Sequence, residues 1–334
     1  MPYAGRARQF PLLIFALLCL AVPRPVVAQP LNADVYKNGE RFRAAFQPVA
    51  AEARQSTARI YVDGEPVALG IIVSEDGYIL TKGSQLRGDV TVRLPDGPKQ
   101  PAARVGIDGP SDLALLKVDA TGLVPAEWTK KEPAVGSWLV SVGLGESPVG
   151  IGVVSVAGRK IAPQRGILGI TLDISSTVTE VFPGSGADEA GLQVGDVITG
   201  IEGDAYPDRD DLLNRLRRFR PGDSLRLSVR RGDKDQKILA TLGNESSAMV
   251  DRQARQNMMA GPLSIRSGGF DRALQHDTVL RPEDCGGPVA DLSGRVVGMN
   301  IARAGRVESY ALPTSAIQPI LARLMPPDNR TAQK

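Results

Sequence analysis

From about residue 57 the chain alternates apolar and polar positions in short runs, which is the pattern of half-buried β-strands. Turn signals rich in glycine, aspartate and proline separate the runs. Short strands at such regular spacing are typical of a closed β-barrel. The predicted strands are Arg59–Val62, Ala68–Val73, Gly77–Thr81, Val90–Leu94, Ala103–Ile107 and Leu113–Val118.

The segment Val35–Ser56 has an apolar face at helical spacing, and Phe42 and Phe46 lie on that face. Pro48 lies inside the segment, where proline removes a backbone hydrogen bond and clashes with the preceding turn. The sequence therefore predicts a helix that ends or kinks near Pro48.

The best-marked helix is Pro207–Phe219, which has aspartates in its first turn and arginines in its last. These charges complement the helix dipole, and Pro221 and Gly222 follow as a stop signal. A second helix is predicted near the end of the chain, at Thr314–Leu324. The predicted buried stripe of the first helix is Leu212, Leu213, Leu216 and Phe219.

The first 28 residues have the features of a secretory signal peptide. Arg6 and Arg8 precede the apolar run Phe10–Val22, and small residues ending at Ala28 form a cleavage site. The run of 13 residues is too short to span a bilayer. We expect an exported protein of the periplasm or cell envelope, without a membrane span after cleavage; a retained anchor is the alternative.

Composition and charge fit a globular chain with room for two domains. The chain has 334 residues, of which 42% are hydrophobic and 23% charged. Its formal charge of +3 comes from three arginines within residues 1–28, so the mature chain has 37 basic and 37 acidic residues. This balance argues against a nucleic-acid partner. The sequence predicts no cofactor and no metal site.

The mature chain has one cysteine, Cys285, because Cys19 leaves with the signal peptide. No intramolecular disulfide is then possible. A lone thiol in an exported protein is either buried and inert or exposed and oxidisable.

The stretch Arg281–Asn300 contains Cys285 followed by two glycines and a proline. It resembles the GNSGGP segment of the HtrA/Deg family of trypsin-like serine proteases, in which the serine attacks the peptide bond. Cys285 stands at that serine. Residues 68–86 and 106–118 resemble the family's first barrel, and residues 135–143 and 150–159 resemble the start of its second. The resemblance implies a mostly β fold with a trypsin-like double β-barrel.

Residues 165–243 resemble a PDZ domain of the HtrA type, an α/β module. The barrel pattern resumes at about Gly261, so the PDZ domain is predicted to be inserted within the second barrel. The predicted division of the chain is 1–28 signal peptide, 29–56 helical segment, 57–160 first barrel and start of the second, 165–243 PDZ domain, 244–260 linker, 261–325 remainder of the second barrel with a closing helix, and 326–334 tail. In the family an aromatic N-terminal segment packs between subunits, so Phe42 and Phe46 are predicted either to do this or to lie on their own barrel.

The catalytic positions that the resemblance implies are altered. The aspartate falls on Asp112 and the histidine on Ser84, which cannot serve as a base near pH 7 and is predicted to hydrogen-bond Asp112. An unperturbed thiol at Cys285 is only a few per cent thiolate at pH 7. Glu283 replaces the glycine of the oxyanion hole, and its carboxylate is expected near the thiol. These departures predict a pseudo-protease.

Two other roles for the thiol remain open. His276, the single histidine of the chain, would form a cysteine–histidine pair if it lay within about 3.5 Å of the Cys285 sulfur. The chain would then be an active endopeptidase. Redox sensing would instead need an exposed thiol of lowered pKa.

By resemblance, the loop Gly166, Ile167, Leu168, Gly169 and Ile170 holds the carboxylate of a bound peptide. Leu212 and Leu216 are predicted to line the pocket for its terminal side chain. The predicted function is binding of peptide C-termini or unfolded protein segments, in regulating or scaffolding envelope proteolysis. A periplasmic chaperone is a further alternative. Candidate partners are an active HtrA-type protease and a second copy of the chain.

Overall fold

The computed structural model describes residues 36–206, 208–244 and 261–327. The predicted signal peptide lies outside these residues, as do nearly all of the predicted linker and tail. Within these ranges no helix is long and apolar enough to cross a membrane. The mostly β prediction is confirmed.

Six strands of the N-terminal half form a closed barrel, in the order β1-β2-β3-β6-β5-β4. Its interior is filled by apolar side chains of alternate strand positions. The regular strand spacing in the sequence predicted this barrel. Its strands are β1 Thr57–Val62, β2 Glu65–Ile72, β3 Tyr78–Lys82, β4 Val90–Arg93, β5 Lys99–Asp108 and β6 Leu113–Val118.

A second closed barrel has the order β15-β18-β17-β16-β7-β8. Its apolar side chains share one core cluster with those of the first barrel, so the two barrels pack directly on each other. Its strands are β7 Trp138–Ser141, β8 Gly150–Ile161, β15 Phe270–His276, β16 Pro288–Ala290, β17 Val296–Arg303 and β18 Ser309–Pro313.

A separate lobe, built from the chain between β8 and β15, has its own apolar core. We call it the inserted lobe. Its strands form two sheets, one of order β10-β9 and one of order β12-β11-β13-β14. Its elements are β9 Ile170–Leu172, β10 Val178–Val181, α3 Gly186–Glu189, β11 Val197–Ile201, β12 Asp204–Ala205, α4 Arg209–Leu216, β13 Ser224–Arg231 and β14 Lys234–Thr241.

The two ends of the inserted lobe lie side by side. β8 pairs antiparallel with β15, and Ile161 is the register partner of Phe270. Antiparallel partners have Cα atoms about 5 Å apart. The chain therefore leaves and re-enters the second barrel at adjacent points, which allows an insertion without disturbing the barrel.

The N-terminal segment forms two helices, α1 Glu40–Ala44 and α2 Gln47–Gln55. Pro48 lies in the first turn of α2, where its missing N–H costs nothing, and the predicted kink is this break between the helices. Phe42 and Phe46 stack with Trp138 of β7, with ring centroids 6.4 and 5.9 Å from it. Of the two alternatives, this is packing on the chain's own barrel. The closing helix, α5, is Thr314–Leu324.

Candidate functional site

Ser84 and Asp112 form a closed hydrogen-bonded pair at one end of the first barrel. β3 pairs with β6 so that Lys82 faces Leu113, which brings the residues just beyond each strand together. The Ser84 amide donates to Asp112 Oδ1 at 2.6 Å, and its hydroxyl lies 3.0 Å from Oδ2. The carboxylate of Asp112 is thus held by Ser84, as the sequence predicted.

Lys82 is a buried cation at this site that the sequence analysis missed. Its side chain is 0% exposed, and its Nζ lies 3.9 Å from Asp112 Oδ2. Nζ has no hydrogen-bond partner within the described part of the chain. Side chains alternate along an extended segment, so residues 82 and 84 lie on the same side. This spacing was the sequence signal that could have placed Lys82 beside Asp112. Lys82 and Arg266, whose guanidinium lies 4.0 Å from Oδ1, are the two cations nearest the buried carboxylate of Asp112 in the described part of the chain.

Cys285 is completely buried. Its sulfur lies 3.8 Å from the Ser264 hydroxyl and 3.7 Å from the Arg281 carbonyl oxygen. Burial raises the pKa of the thiol above its ordinary 9.0, and the charge of Lys82 offsets only part of this rise. The thiol is therefore neutral at pH 7, and of the two sequence alternatives it is the buried one.

The backbone around Cys285 is already hydrogen-bonded. Residues Pro282–Asp284 form a 3₁₀-helix, and the Cys285 amide donates to the Pro282 carbonyl at 3.2 Å. That amide is one of the donors that would face an oxyanion. In this conformation the donor is occupied by the chain itself.

The carboxylate that acts on the thiol is Asp284 rather than Glu283. The negative charge of Asp284 contributes to the raised pKa of Cys285. Glu283 points outward from the 3₁₀-helix, and its Oε1 lies 3.4 Å from Nε of Arg281. Successive side chains of a 3₁₀-helix are turned by about 120° from each other. Asp284 therefore faces the thiol, whereas Glu283, which the sequence predicted there, does not.

His276 is engaged elsewhere in the second barrel. Its ring is fully buried, and Nδ1 lies 2.8 Å from the Thr278 hydroxyl. Burial lowers the pKa of His276 to about 4. The hydrogen-bonding neighbours of the Cys285 sulfur are Ser264 and Arg281, so the structure forms no hydrogen-bonded cysteine–histidine pair.

A groove separates β9 from α4 in the inserted lobe, and its cavity is about 330 Å³. Among the described strands β9 pairs only with β10 in its sheet, so no described strand covers its edge toward α4. The groove is lined by Arg165, Gly166, Ile167, Leu168, Gly169, Ile170, Leu172, Arg209, Leu213, Leu216 and Arg217.

Only part of the predicted carboxylate loop offers free amides. Gly166 donates to the Phe219 carbonyl at 3.0 Å, and Ile167 donates to the Gly243 carbonyl at 2.8 Å. The amides of Leu168 and Gly169 donate no hydrogen bond within the described ranges. Gly169 has φ +83°, which turns this part of the loop toward the groove.

The face that α4 presents to the groove differs from the predicted one. Leu212 is 0% exposed and belongs to the core of the inserted lobe, whereas Leu213 lines the groove together with Leu216. The helix is rotated so that positions 209, 213 and 216 face β9, a spacing of four and three residues. The sequence identified the apolar stripe but not which of its edges is open.

The groove is basic as well as apolar. Arg165, Arg209 and Arg217 line it. Arg209 has an exposed acidic partner outside the lining, Asp210, whose Oδ1 lies 3.4 Å from Nη2.

Two family models match the sequence. The model of the PDZ domain matches residues 149–242, and the model of the trypsin-like peptidase domain matches residues 68–187. Together the matches span residues 68–242. This range contains β3 to β6 of the first barrel, β7 and β8 of the second barrel and the strands of the inserted lobe.

Curated relatives carry the description "Probable periplasmic serine endoprotease DegP-like". The protein of Ectopseudomonas mendocina is 30% identical over 161 residues, which are 46% of this chain and 33% of the relative. That of Hahella chejuensis is 36% identical over 122 residues, which are 34% of this chain and 25% of the relative. The match thus spans a third or less of the relatives' length.

Among solved structures, the serine endoprotease from Yersinia pestis is 20% identical. The alignment covers 60% of this chain and 97% of that chain, with a TM-score of 0.27.

Proposed function

The chain belongs to the HtrA-type trypsin-like proteins that carry a PDZ domain, and from this premise we propose that it binds peptide C-termini in the groove between β9 and α4. In this proposal the inserted lobe is the binding module. The double barrel supports it and performs no proteolysis.

The observation that carries the proposal is the open edge of β9 beside the two free amides of Leu168 and Gly169. An extended peptide pairs with such an edge as an added strand, and amides at its end hold the carboxylate. Leu213 and Leu216 provide an apolar wall for the terminal side chain.

Three features support the absence of proteolysis. Ser84 stands at the position of the catalytic base, and the thiol of Cys285 is buried with a raised pKa. The backbone amide of Cys285 donates its hydrogen bond to the Pro282 carbonyl oxygen. A nucleophile needs an adjacent base and access to its substrate. Neither is provided by this arrangement.

The test of peptide binding compares a fluorescent peptide ending in a free apolar residue with its C-terminal amide. We expect the amide to bind at least tenfold more weakly, because it loses the charged interaction with the loop. Leu213→Asp should abolish binding, whereas Leu239→Asp, at an exposed position of β14 in the same lobe, should not. Equal binding of acid and amide would contradict the proposal and favour capture of unfolded segments, as by a chaperone.

The test of inactivity measures cleavage of a labelled unfolded protein by the wild-type chain and by Cys285→Ala. We expect no cleavage by either. Cleavage that is lost in the variant would establish the alternative, an endopeptidase that uses Cys285.

The setting that we propose is the periplasm or cell envelope, following the resemblance to DegP-like proteins named as periplasmic. An active HtrA-type protease and a second copy of the chain are the proposed partners. Regulation or scaffolding of proteolysis would then follow from peptide capture alone.

A further inference from the structure

A second cavity, of about 570 Å³, lies where the inserted lobe meets the first barrel. Ser84 and Asp112 line it from the barrel, and the turn Arg220–Asp223, which follows α4, lines it from the inserted lobe. Pro221 and Gly222 of this turn are buried. We call it the interlobe cavity, and it is separate from the peptide groove.

Positive charge dominates the interlobe cavity. Its charged lining residues are four arginines and two aspartates, which leaves an excess of two positive charges. They are Arg87, Arg104, Arg220, Arg266, Asp112 and Asp223.

Neutral carbonyl groups, rather than carboxylates, hold two of these guanidinium groups in place. Arg104 donates to the carbonyls of Leu86 and Gly88 at 2.9 and 2.8 Å. Arg266 donates to the carbonyls of Gly109 and Pro110 at 2.6 and 2.7 Å. These bonds fix the position of each guanidinium group and leave its charge in place.

The arginines are also poorly paired with acids. Arg87, Arg104 and Arg220 form no ion pair with any residue that the structure describes. Arg266, whose side chain is 7% exposed, approaches Asp112 only at 4.0 Å. Of the four arginines only Arg266 is buried, and a buried cation is costly unless an anion compensates it, so an anion closer than Asp112 would stabilise Arg266.

Like charges also face each other across the boundary between the lobes. Burial is the main cause that lowers the pKa of Arg266, and the positive charge of Arg220 lowers it further, against the opposing effects of Asp112, Asp223 and Asp108. An anion between these two arginines would convert their repulsion into attraction to a shared partner.

We propose that the interlobe cavity is a binding site for a small oxyanion, a carboxylate or a phosphate. The anion contacts Arg266 of the barrel side and Arg220 of the inserted lobe, with Arg87 at the rim. Bidentate pairing of guanidinium with two oxygens is the chemistry shared by both anions. Because the ligand touches both lobes, its binding fixes the inserted lobe against the first barrel.

The experiment titrates inorganic phosphate and, separately, succinate into the full-length mature chain at constant ionic strength and follows the melting temperature. Arg220→Gln is the test variant, because its side chain lines the cavity. Arg218→Gln is the matched control, because Arg218 is exposed, two residues away and outside the cavity. We expect at least one anion to stabilise the wild type, and the test variant to bind it about tenfold more weakly.

Hydrogen exchange of the wild type gives a readout that does not depend on any variant. The anion should protect both the Gly109–Asp112 loop and the Arg220–Asp223 turn. Stabilisation by phosphate, by succinate or by both that is weakened in Arg220→Gln would support the site, and the anion that stabilises would identify its ligand. No stabilisation by either anion, or an equal effect on the wild type and both variants, would overturn the proposal. These outcomes do not depend on whether the peptide groove binds.

Discussion

Nζ of Lys82 lies 3.9 Å from Oδ2 of Asp112, and both side chains are almost completely shielded from solvent. Asp112 keeps the two hydrogen bonds from Ser84, so the lysine contributes charge rather than a hydrogen bond. At the position where a trypsin-like site would hold its imidazole this chain has Ser84, and beside it the carboxylate of Asp112 forms a buried ion pair with Lys82. The contribution of this ion pair to stability can be measured directly.

Replacing Lys82 by methionine should destabilise the protein by about 2 kcal/mol, because Asp112 is left as a poorly compensated buried charge. Urea unfolding at pH 7 measures the change. The double variant Lys82→Met/Asp112→Asn should recover part of the loss, because it removes the buried carboxylate, although Arg266 then loses the acid that lies 4.0 Å from it. A single variant as stable as the wild type would show that the pair contributes nothing.

Restoring the residues of a serine protease should not restore proteolysis. In Ser84→His/Cys285→Ser the base and nucleophile are present, but the amide of residue 285 is still directed at Pro282. A casein-cleavage assay beside an active HtrA-type protease checks this, and turnover by the variant would refute it.

The thiol of Cys285 should resist alkylation in the folded protein. Its burial and raised pKa require the chain to open before a thiolate meets the reagent. At pH 8 we expect iodoacetamide to react roughly 100-fold more slowly than with the urea-unfolded chain. Mass spectrometry after timed quenching gives both rates, and similar rates would contradict the buried position.

Stability should fall as the pH is lowered through the range of His276. Its folded pKa of about 4 lies below the ordinary 6.5, so the unfolded chain binds the proton more tightly. The stability associated with the neutral ring is complete above pH 6.5 and is lost toward pH 4, by about 3 kcal/mol. Urea unfolding of the wild type and of His276→Gln at several pH values isolates this contribution, because the carboxylates titrate in both. Parallel pH profiles would disprove it.

The groove should favour peptides with acidic residues near an apolar C-terminus. Arg165, Arg209 and Arg217 line it, so complementary charge strengthens binding. We expect a glutamate-containing peptide to bind about fivefold more tightly than its lysine counterpart at low salt. Arg209→Glu should reverse this preference, whereas Arg218→Glu should leave it in place. Fluorescence anisotropy measures the six affinities, those of both peptides for the wild type and for each variant.

The strands, the barrels and the inserted lobe were predictable because each is marked locally. Alternation along β1 to β6 depends on neighbours in the sequence, and so do the helix signals of α4. The Ser84–Asp112 bond was predictable as well, since the resemblance placed both residues at one site and their chemistry determined the rest.

Features set by tertiary contacts were not predictable in the same way. Lys82 looks like a surface residue of an edge turn until Asp112 and Cys285 are brought around it. The choice between Leu212 and Leu213 depends on a rotation of α4 that only the packing of the lobe determines. Asp284 acts on the thiol where Glu283 was expected, because the tight turn before Cys285 could not be seen in the sequence.

The pairing of Ile161 with Phe270 also determines how this protein responds to traction. A partner that pulls on the inserted lobe draws on the adjacent ends of β8 and β15 together, so the hydrogen bonds between these two strands are not peeled apart. The load passes instead to the ladders that β8 forms with β7 and β15 with β18. Because two strands share the load, the junction would transmit a pull on the inserted lobe into the second barrel.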